Sequence, residues 1–122
     1  MTPSVTDLIG KANYWAELNG DVVLSDWRVQ LLRTIHATGS ISAAALQLDI
    51  PYKLAWERIH EMEQRLGQPL LDVQTGGAGG GGATLTPLAL DLVRRWGEFR
   101  RGLDASLVEH FVAAFGGGPD AS

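Results

Sequence analysis

The chain of 122 residues contains no cysteine. This absence excludes disulfide bonds, thiolate metal ligands and cysteine-based catalysis. Long apolar runs are also missing: no stretch approaches the roughly 20 residues of a membrane-spanning helix. The first residues, Met1-Thr2-Pro3-Ser4, lack the basic segment and apolar core of a signal peptide. We therefore expect a cytoplasmic protein with no membrane association.

Residues able to form a catalytic or metal site are few and scattered. The histidines His36, His60 and His110 fall on separate predicted helices, without a ligand spacing such as His-x-x-x-His. Glu57 and Glu61 share a helix face, but no metal partner accompanies them, and no nucleophile is paired with a base. We expect no metal, no cofactor and no enzymatic activity.

Positive charge is in short supply. Ten Lys and Arg residues stand against fourteen Asp and Glu, for a formal net charge of -4. Nucleic-acid-binding domains are more often basic, so this balance counts against strong non-specific binding to phosphate. Hydrophobic residues make up 45% of the chain, enough for the core of one domain. We expect that domain over residues 1–115 and a disordered tail over 116–122.

Apolar periodicity divides the first half of the chain into predicted elements. A first amphipathic helix is predicted over residues 5–18, from the helical spacing of Val5, Leu8, Ile9, Ala12 and Ala16. The turn signal at 19–21 is followed by a short strand candidate at 22–24. Helices are then predicted from residues 25–26 to Gly39, over 40–48 and over 51–66, the last ending at Gly67.

The second half begins with two predicted strands, 70–74 and 83–85, joined by a glycine-rich loop. A cap at Thr86 starts a long helix at Pro87, which Gly97 and Gly102 would bend or split. Its apolar stripes, 88–103 and 107–115, exceed what one small core needs. We expect the N-terminal helix and these last helices to form a dimer interface.

The order of elements is that of a winged helix-turn-helix, a mainly α fold with a small β-wing. A short helix, a tight turn at Asp49-Ile50, a longer helix and a glycine hairpin follow one another before the next helix. In this fold the longer helix lies in the DNA major groove. The helix pair alone would also fit a packed helical hairpin, and the wing favours the DNA-binding interpretation.

Spaced residues strengthen this interpretation. They are Gly39-Ser40-Ile41-Ser42, Tyr52-Lys53 with Ala55-Trp56, Glu61-Met62, Thr75-Gly76-Gly77 with Gly79-Gly80-Gly81-Gly82-Ala83, and Leu85-Thr86. On these residues the chain resembles the N-terminal DNA-binding domain of molybdate-responsive regulators of the ModE type. More distantly, it resembles the DNA-binding domain of LysR-type regulators. The resemblance covers about Ser25 to Arg95 and implies a winged-helix fold, a homodimer and transcriptional control.

Three features depart from the family pattern. Family members carry a C-terminal molybdate-binding region that this sequence does not show, so we expect this chain not to bind molybdate. Ala78 stands where the wing often has a lysine or arginine, and Pro51 stands where the recognition helix usually begins with a serine. Each of these two residues removes a possible phosphate contact and lowers the expected affinity for DNA.

The first turn of the helix over 51–66 carries the main DNA-binding candidates. Lys53 can reach a phosphate or guanine O6 and N7, and Tyr52 can hydrogen-bond a phosphate. The alternative is a solvated lysine and a tyrosine at the core edge. Trp56 could stack on a sugar or a thymine methyl group, although packing against the wing is slightly favoured.

Further candidates lie on this helix and at the start of the preceding one. Glu57 faces outward and can accept from cytosine N4, or it is an ordinary surface glutamate. His60 can donate to a phosphate when protonated, but an ordinary surface histidine is the more common situation. Ser40 or Ser42 caps the preceding helix, and both are included among the DNA-binding candidates.

The wing supplies the remaining candidates, Thr75, Gly76, Gly77, Gly79 and Gly80. Backbone N–H groups without side chains can approach phosphates along the minor groove, or the segment is only a flexible hairpin tip. The spacing of Gly77 and Gly82 also matches a nucleotide phosphate loop. Such a loop continues with lysine and then Ser or Thr, whereas Ala83 and Thr84 follow here, so we discount nucleotide binding.

Two functions remain open from the sequence. The first is a sequence-specific DNA-binding transcriptional regulator that acts as a dimer on a palindromic operator in double-stranded DNA. The alternative is a winged-helix protein-interaction module that does not bind DNA, which the net charge and the neutral wing favour. A positive stripe including Lys53, Arg58 and the C-terminal arginines would support DNA binding. The arginine pairs 94–95 and 100–101 would contact phosphates or the acidic surface of a partner, or they form a solvated helix face, which is the more common situation.

Overall fold

Residues 2–74 and 81–116 are described by a computed structural model of the protein. A 3-10 turn at Val5–Asp7 comes first. The elements after it are β1 (Trp15–Leu18), β2 (Asp21–Ser25), α1 (Asp26–Thr38), α2 (Ile41–Leu48), α3 (Tyr52–Leu66), β3 (Leu71–Gln74), β4 (Gly82–Leu85) and α4 (Pro87–Phe115). The two antiparallel sheets, β1–β2 and β3–β4, have two strands each. The predicted winged helix-turn-helix, mainly α with a small β-wing, is confirmed.

The predicted helix over residues 5–18 is wrong. Ser4 and Asp7 form a capping box around a single 3-10 turn, and residues 15–18 form a strand instead. Val5 and Ile9, assigned to an inward stripe, are 63% and 77% exposed. Asn19 and Gly20 both have positive φ and form the tight turn between β1 and β2. An Asn-Gly pair is the strongest short signal for a β-hairpin, so the sequence itself indicates a hairpin at this place.

Capping residues define the ends of α1 and the start of α2. Ser25 Oγ accepts from Arg28 N at 3.2 Å at the start of α1, and Ser40 Oγ accepts from Ala43 N at 3.0 Å at the start of α2. Gly39 ends α1 in the left-handed conformation, with φ of 84°. Asp49 adopts the same region at the end of α2 and turns the chain into α3. The predicted helix-turn-helix segment is therefore confirmed.

The strands of the wing pair in one register, from Leu71 opposite Leu85 to Gln74 opposite Gly82. Thr86 joins this sheet to α4, because its hydroxyl donates to Pro69 O at 3.0 Å and accepts from Ala89 N at 3.3 Å. Helix α4 then continues without a break through Gly97 and Gly102. The predicted split at these glycines is absent.

The chain separates into two units by its internal contacts. One unit is Tyr14–Arg95, which contains α1, α2, α3, both sheets and the start of α4. Its core is formed by apolar residues from all of these helices and from the wing strands, among them Leu31, Leu32, Ile35, Ala44, Ala55, Ile59, Met62, Leu70 and Ala89. The other unit comprises, among the described residues, 2–13 and 96–116. Across the described residues, every helix is too short or too polar for a membrane span.

Candidate nucleic-acid interface

Helix α3 separates a buried face from an exposed one. Ala55, Ile59 and Met62 are fully buried in the core, and together they fix the helix against α1 and α2. Their spacing, i, i+4 and i+7, places the three side chains on one face of the helix. Tyr52 is 51% exposed, and the Lys53 side chain is 86% exposed. The first turn of α3 is therefore free to approach a partner.

The base of the wing lies beside the start of α2. Ala83 N, on β4, donates to Gly39 O at 2.7 Å, which joins the wing to the turn between α1 and α2. A Cβ on Gly82 would lie 3.4 Å from Gly39 O, a tight approach. One groove results, lined by residues of α2, α3 and the wing base: Ser40, Ile41, Ser42, Tyr52, Val73, Gln74, Gly81, Gly82 and Ala83.

This groove unites three of the predicted site residues. Ser40 caps α2 through its side chain, Ser42 lies in the first turn of α2, and Tyr52 begins α3. Gln74 was not predicted as a site residue, although it ends β3 directly beside the glycine-rich segment. The predicted wing residues Thr75, Gly76, Gly77, Gly79 and Gly80, with Ala78, lie outside the described residues.

A second, shallower groove runs along the outward side of α3. Its lining includes the predicted residues Trp56, Glu57 and His60, together with Arg58, Glu61, Gln64 and Arg65. Trp56 is 43% exposed, and its indole stacks on the His60 imidazole with ring centroids 3.8 Å apart. Trp56 therefore contacts a residue of its own helix one turn later, and its packing against the wing stays a prediction.

Charges on the exposed side of α3 are mixed rather than uniformly positive. Lys53 Nζ lies 3.8 Å from Glu57 Oε1, an exposed ion pair one turn apart. Arg58 Nη1 lies 3.8 Å from Glu61 Oε2. This arrangement weakens the long-range attraction for phosphate, because each positive group has a carboxylate neighbour.

Glu61 lies at the centre of an ionic cluster with three arginines, Arg28, Arg58 and Arg65. Arg28 of α1 donates from Nη2 to Glu61 Oε1 at 2.6 Å, and Arg65 Nη1 lies 3.2 Å from the same oxygen. Arg65 Nη1 also donates to Val22 O at 2.6 Å, which attaches α3 to β2. This cluster was not predicted from the sequence. The i+4 spacing of Glu61 and Arg65 indicates an ion pair within the helix, but Arg28 lies 33 residues from Glu61 along the chain.

Opposing effects act on the pKa of Glu61. Partial burial raises the pKa, but the hydrogen bond from Arg28 and the charges of Arg28, Arg65 and Arg58 outweigh it. The pKa of this carboxyl is therefore lower than its ordinary value. Glu61 stays charged at neutral pH and links α1, α3 and β2.

For the arginines of α4 the sequence left three possibilities: phosphate contacts, an acidic partner surface or a solvated helix face. Arg94 and Arg95 both contact Asp91, at 2.7 Å and 2.8 Å. Hydrogen bonds from Arg95 and Arg94 lower the pKa of Asp91. Arg100 lies 3.2 Å from Asp104 one turn later. These pairs within the helix favour the solvated face.

Within residues 2–74 and 81–116, no group of three or more His, Asp and Glu residues could hold a metal ion.

Comparison with known families gives a match to the bacterial regulatory helix-turn-helix proteins of the lysR family over residues 28–90. This segment contains α2, α3, the wing and nearly all of α1. It therefore includes every predicted DNA-binding residue, and it spans more than half of the chain.

Curated relatives resemble the same part of the chain. The molybdenum-pterin-binding protein MopB of Rhodobacter capsulatus is 42% identical over 84 residues, which is 69% of this chain and 31% of the relative. The DNA-binding transcriptional dual regulator ModE of Escherichia coli K12 is 45% identical over 67 residues, 55% of this chain and 26% of the relative. The chain thus spans less than a third of the length of these relatives.

Solved structures share the fold. The structure of a complex of the CbnR DNA-binding domain with DNA aligns with a TM-score of 0.56 and 22% identity, over 71% of this chain and 99% of that one. ArgP from Mycobacterium tuberculosis aligns with a TM-score of 0.51 and 23% identity, over 68% of this chain and 29% of that one. At such low identity the likeness concerns the fold alone.

Proposed function

We propose that this chain, which belongs to the lysR family of bacterial regulatory helix-turn-helix proteins, binds double-stranded DNA and regulates transcription. One observation carries the proposal: α3 is fixed in the core by Ala55, Ile59 and Met62, while its first turn presents Tyr52 and Lys53 to solvent. A rigid helix with an exposed N-terminal turn is what a reader of the major groove requires.

Two groups of residues have different tasks in this proposal. Lys53 contacts a phosphate or guanine O6 and N7 from the first turn of α3. Ser42, Tyr52 and Gln74 contact the DNA backbone from the groove between α2, α3 and the wing base. Hydroxyl and amide groups are suited to this task, because they hydrogen-bond phosphate oxygens without sequence preference.

We also propose that the chain acts in the cytoplasm and that it is not an enzyme. Support comes from the family match, which is to bacterial regulatory helix-turn-helix proteins. We propose no molybdate site and no other molybdenum-related function for this chain.

A homodimer is the second part of the proposal. Residues 2–13 and the C-terminal half of α4 contribute an apolar groove, lined by Leu8, Ile9, Gly10, Val108, Phe111 and Val112. Val108 is 62% exposed and Ile9 is 77% exposed, so much apolar surface is open to a partner. A twofold dimer would place its two recognition helices about 34 Å apart, on an imperfectly palindromic operator.

The dimer is tested by sedimentation equilibrium of the 122-residue chain and of Val108→Glu. We expect the wild type to sediment as a dimer and Val108→Glu to shift toward monomer, because the carboxylate would be desolvated in an apolar contact. Ala113→Glu is the matched control, since it adds the same charge to an exposed position of α4 outside the lining of the groove. A monomeric wild type would overturn this part of the proposal.

DNA binding is tested by selecting genomic fragments with the wild-type chain at low and near-physiological salt. We expect a palindromic motif that persists at the higher salt, because specific base contacts are less salt-dependent than phosphate contacts. Binding that disappears with salt, or no enrichment, would contradict the proposal.

A protein-interaction module is the second candidate function. The observation in its favour is the mixed charge of α3, where Lys53 is paired with Glu57, together with the net charge of -4. Failure of the genomic selection would favour this candidate, and an affinity search for a partner protein would then follow.

A further inference from the structure

Trp56 and His60 form a stacked pair on the exposed side of α3. Their rings stack with centroids 3.8 Å apart and an interplanar angle of 24°. His60 Nδ1 lies 2.9 Å from the carbonyl oxygen of Trp56, one helical turn earlier. Two contacts therefore hold the imidazole, one through its face and one through its edge.

The hydrogen bond determines which nitrogen of His60 carries a proton. A carbonyl oxygen only accepts, so Nδ1 must be the donor, and Nδ1 carries the hydrogen. In the neutral imidazole Nε2 is then an acceptor with a lone pair. Within the described part of the chain, Nε2 has no hydrogen-bond partner.

As a hydrogen-bond acceptor, Nε2 of His60 can pair only with those DNA groups that are donors. Phosphate oxygens are acceptors themselves and cannot bond to neutral Nε2. In the major groove, the exocyclic amines of adenine N6 and cytosine N4 are the donors. Glu57, three residues before His60, is also an acceptor and lines the same groove.

We propose that His60, positioned by Trp56, is a specificity-determining residue that accepts a hydrogen bond from the amino group of adenine or cytosine. The inference rests on the proposed function, because it names one contact of the same DNA interface. Trp56 then has a positioning role. Because His60 covers one face of the indole, a DNA base cannot stack on that face, and the indole orients the imidazole instead.

The spacing along α3 separates this contact from that of Lys53. The two residues are seven positions apart, which corresponds to about 10 Å along the helix axis. The two side chains therefore contact different base pairs of one operator half-site. The half-site should contain a position, distinct from that of Lys53, at which adenine and cytosine are preferred over guanine and thymine.

The experiment selects from a randomised DNA library with four versions of the 122-residue chain: wild type, His60→Ala, His60→Gln and His36→Ala. His36→Ala is the matched control, because His36 is an exposed histidine on α1. For His60→Ala we expect one position per half-site to lose a roughly five- to tenfold preference for adenine or cytosine. For His60→Gln we expect the preference to move toward adenine, which glutamine contacts at N6 and N7. His36→Ala should reproduce the wild-type motif.

The outcomes separate the inference from the proposed function. If wild type enriches no motif, the proposed function fails and the inference fails with it. If wild type enriches a motif that His60→Ala reproduces unchanged, only the assignment of His60 is overturned. A uniform loss of affinity for all sequences would identify a phosphate contact instead, and loss of a guanine preference would identify a donor. Either result overturns the inference.

Discussion

Arg28 of α1 donates a hydrogen bond to Glu61 of α3, with 2.6 Å between Nη2 and Oε1. Both side chains are largely shielded from solvent, with 13% and 29% of their surfaces exposed. Because Arg65 joins the same carboxylate and also binds Val22 O, the contact attaches α3 to both α1 and β2. Helix α3 is therefore held by charge on one side and by apolar packing on the other.

Replacing Glu61 should destabilise the fold. We expect Glu61→Ala to lower the free energy of unfolding by about 1–3 kcal/mol, because it leaves the shielded Arg28 without its acceptor. Urea denaturation measures this change. Glu57→Ala is the control: its carboxylate is 44% exposed and pairs only weakly with Lys53, so the cost should stay below about 1 kcal/mol. Equal losses in the two variants would contradict a special role for Glu61.

The stability that Glu61 contributes should depend on pH. Its pKa is lowered in the folded state, so the unfolded state binds the proton more tightly. The contribution is complete above the unfolded-state pKa, about 4.3 for glutamate, and is lost as pH falls through the lower folded-state pKa. The difference in unfolding free energy between wild type and Glu61→Gln should be constant near pH 7 and shrink below about pH 4. A difference that grows on acidification would contradict this sign.

Lys53 should contribute directly to DNA binding. We expect Lys53→Ala to weaken binding about five- to tenfold near physiological salt and, for a phosphate contact, to reduce the salt slope by about 1. A guanine contact would instead relax specificity at one position. Titration against the selected operator at several salt concentrations measures both. Lys11→Ala is the control, since Lys11 is the one other lysine of the sequence and is exposed. Unchanged binding by Lys53→Ala would mean that the assigned contact is wrong.

Two glycines should respond in opposite ways to alanine. At Gly10 a Cβ would lie 2.5 Å from Cδ2 of Phe111, so the ring must move, and we expect Gly10→Ala to lower the melting temperature. At Gly102, inside α4, a Cβ would meet nothing within 4 Å. Gly102→Ala should therefore stabilise the helix by about 0.5–1 kcal/mol. Thermal unfolding of both variants checks the prediction, and a melting temperature raised by Gly10→Ala would contradict the close contact.

Local signals explain why so much of the fold was predicted. Ser25, Ser40 and Gly39 determine where α1 and α2 begin and end through contacts within four residues. Errors arose where one pattern fits two structures. The N-terminal apolar spacing satisfies a helix, but the Asn19-Gly20 turn pairs residues 15–18 with 21–25 instead. In α4, the helix is unbroken although Gly97 and Gly102 lower its propensity.

The sequence by itself determined the helix-turn-helix segment, because caps and apolar spacing act along the chain, and its resemblance to known regulators identified the family. Only the tertiary structure decided which residues form the ionic cluster. Arg28 and Glu61 are 33 residues apart and come together because α1 packs against α3. It also decided that His60 stacks on Trp56, because i+4 spacing permits this contact while the side-chain conformations select it. Contacts between distant residues depend on the whole core, which no local pattern specifies.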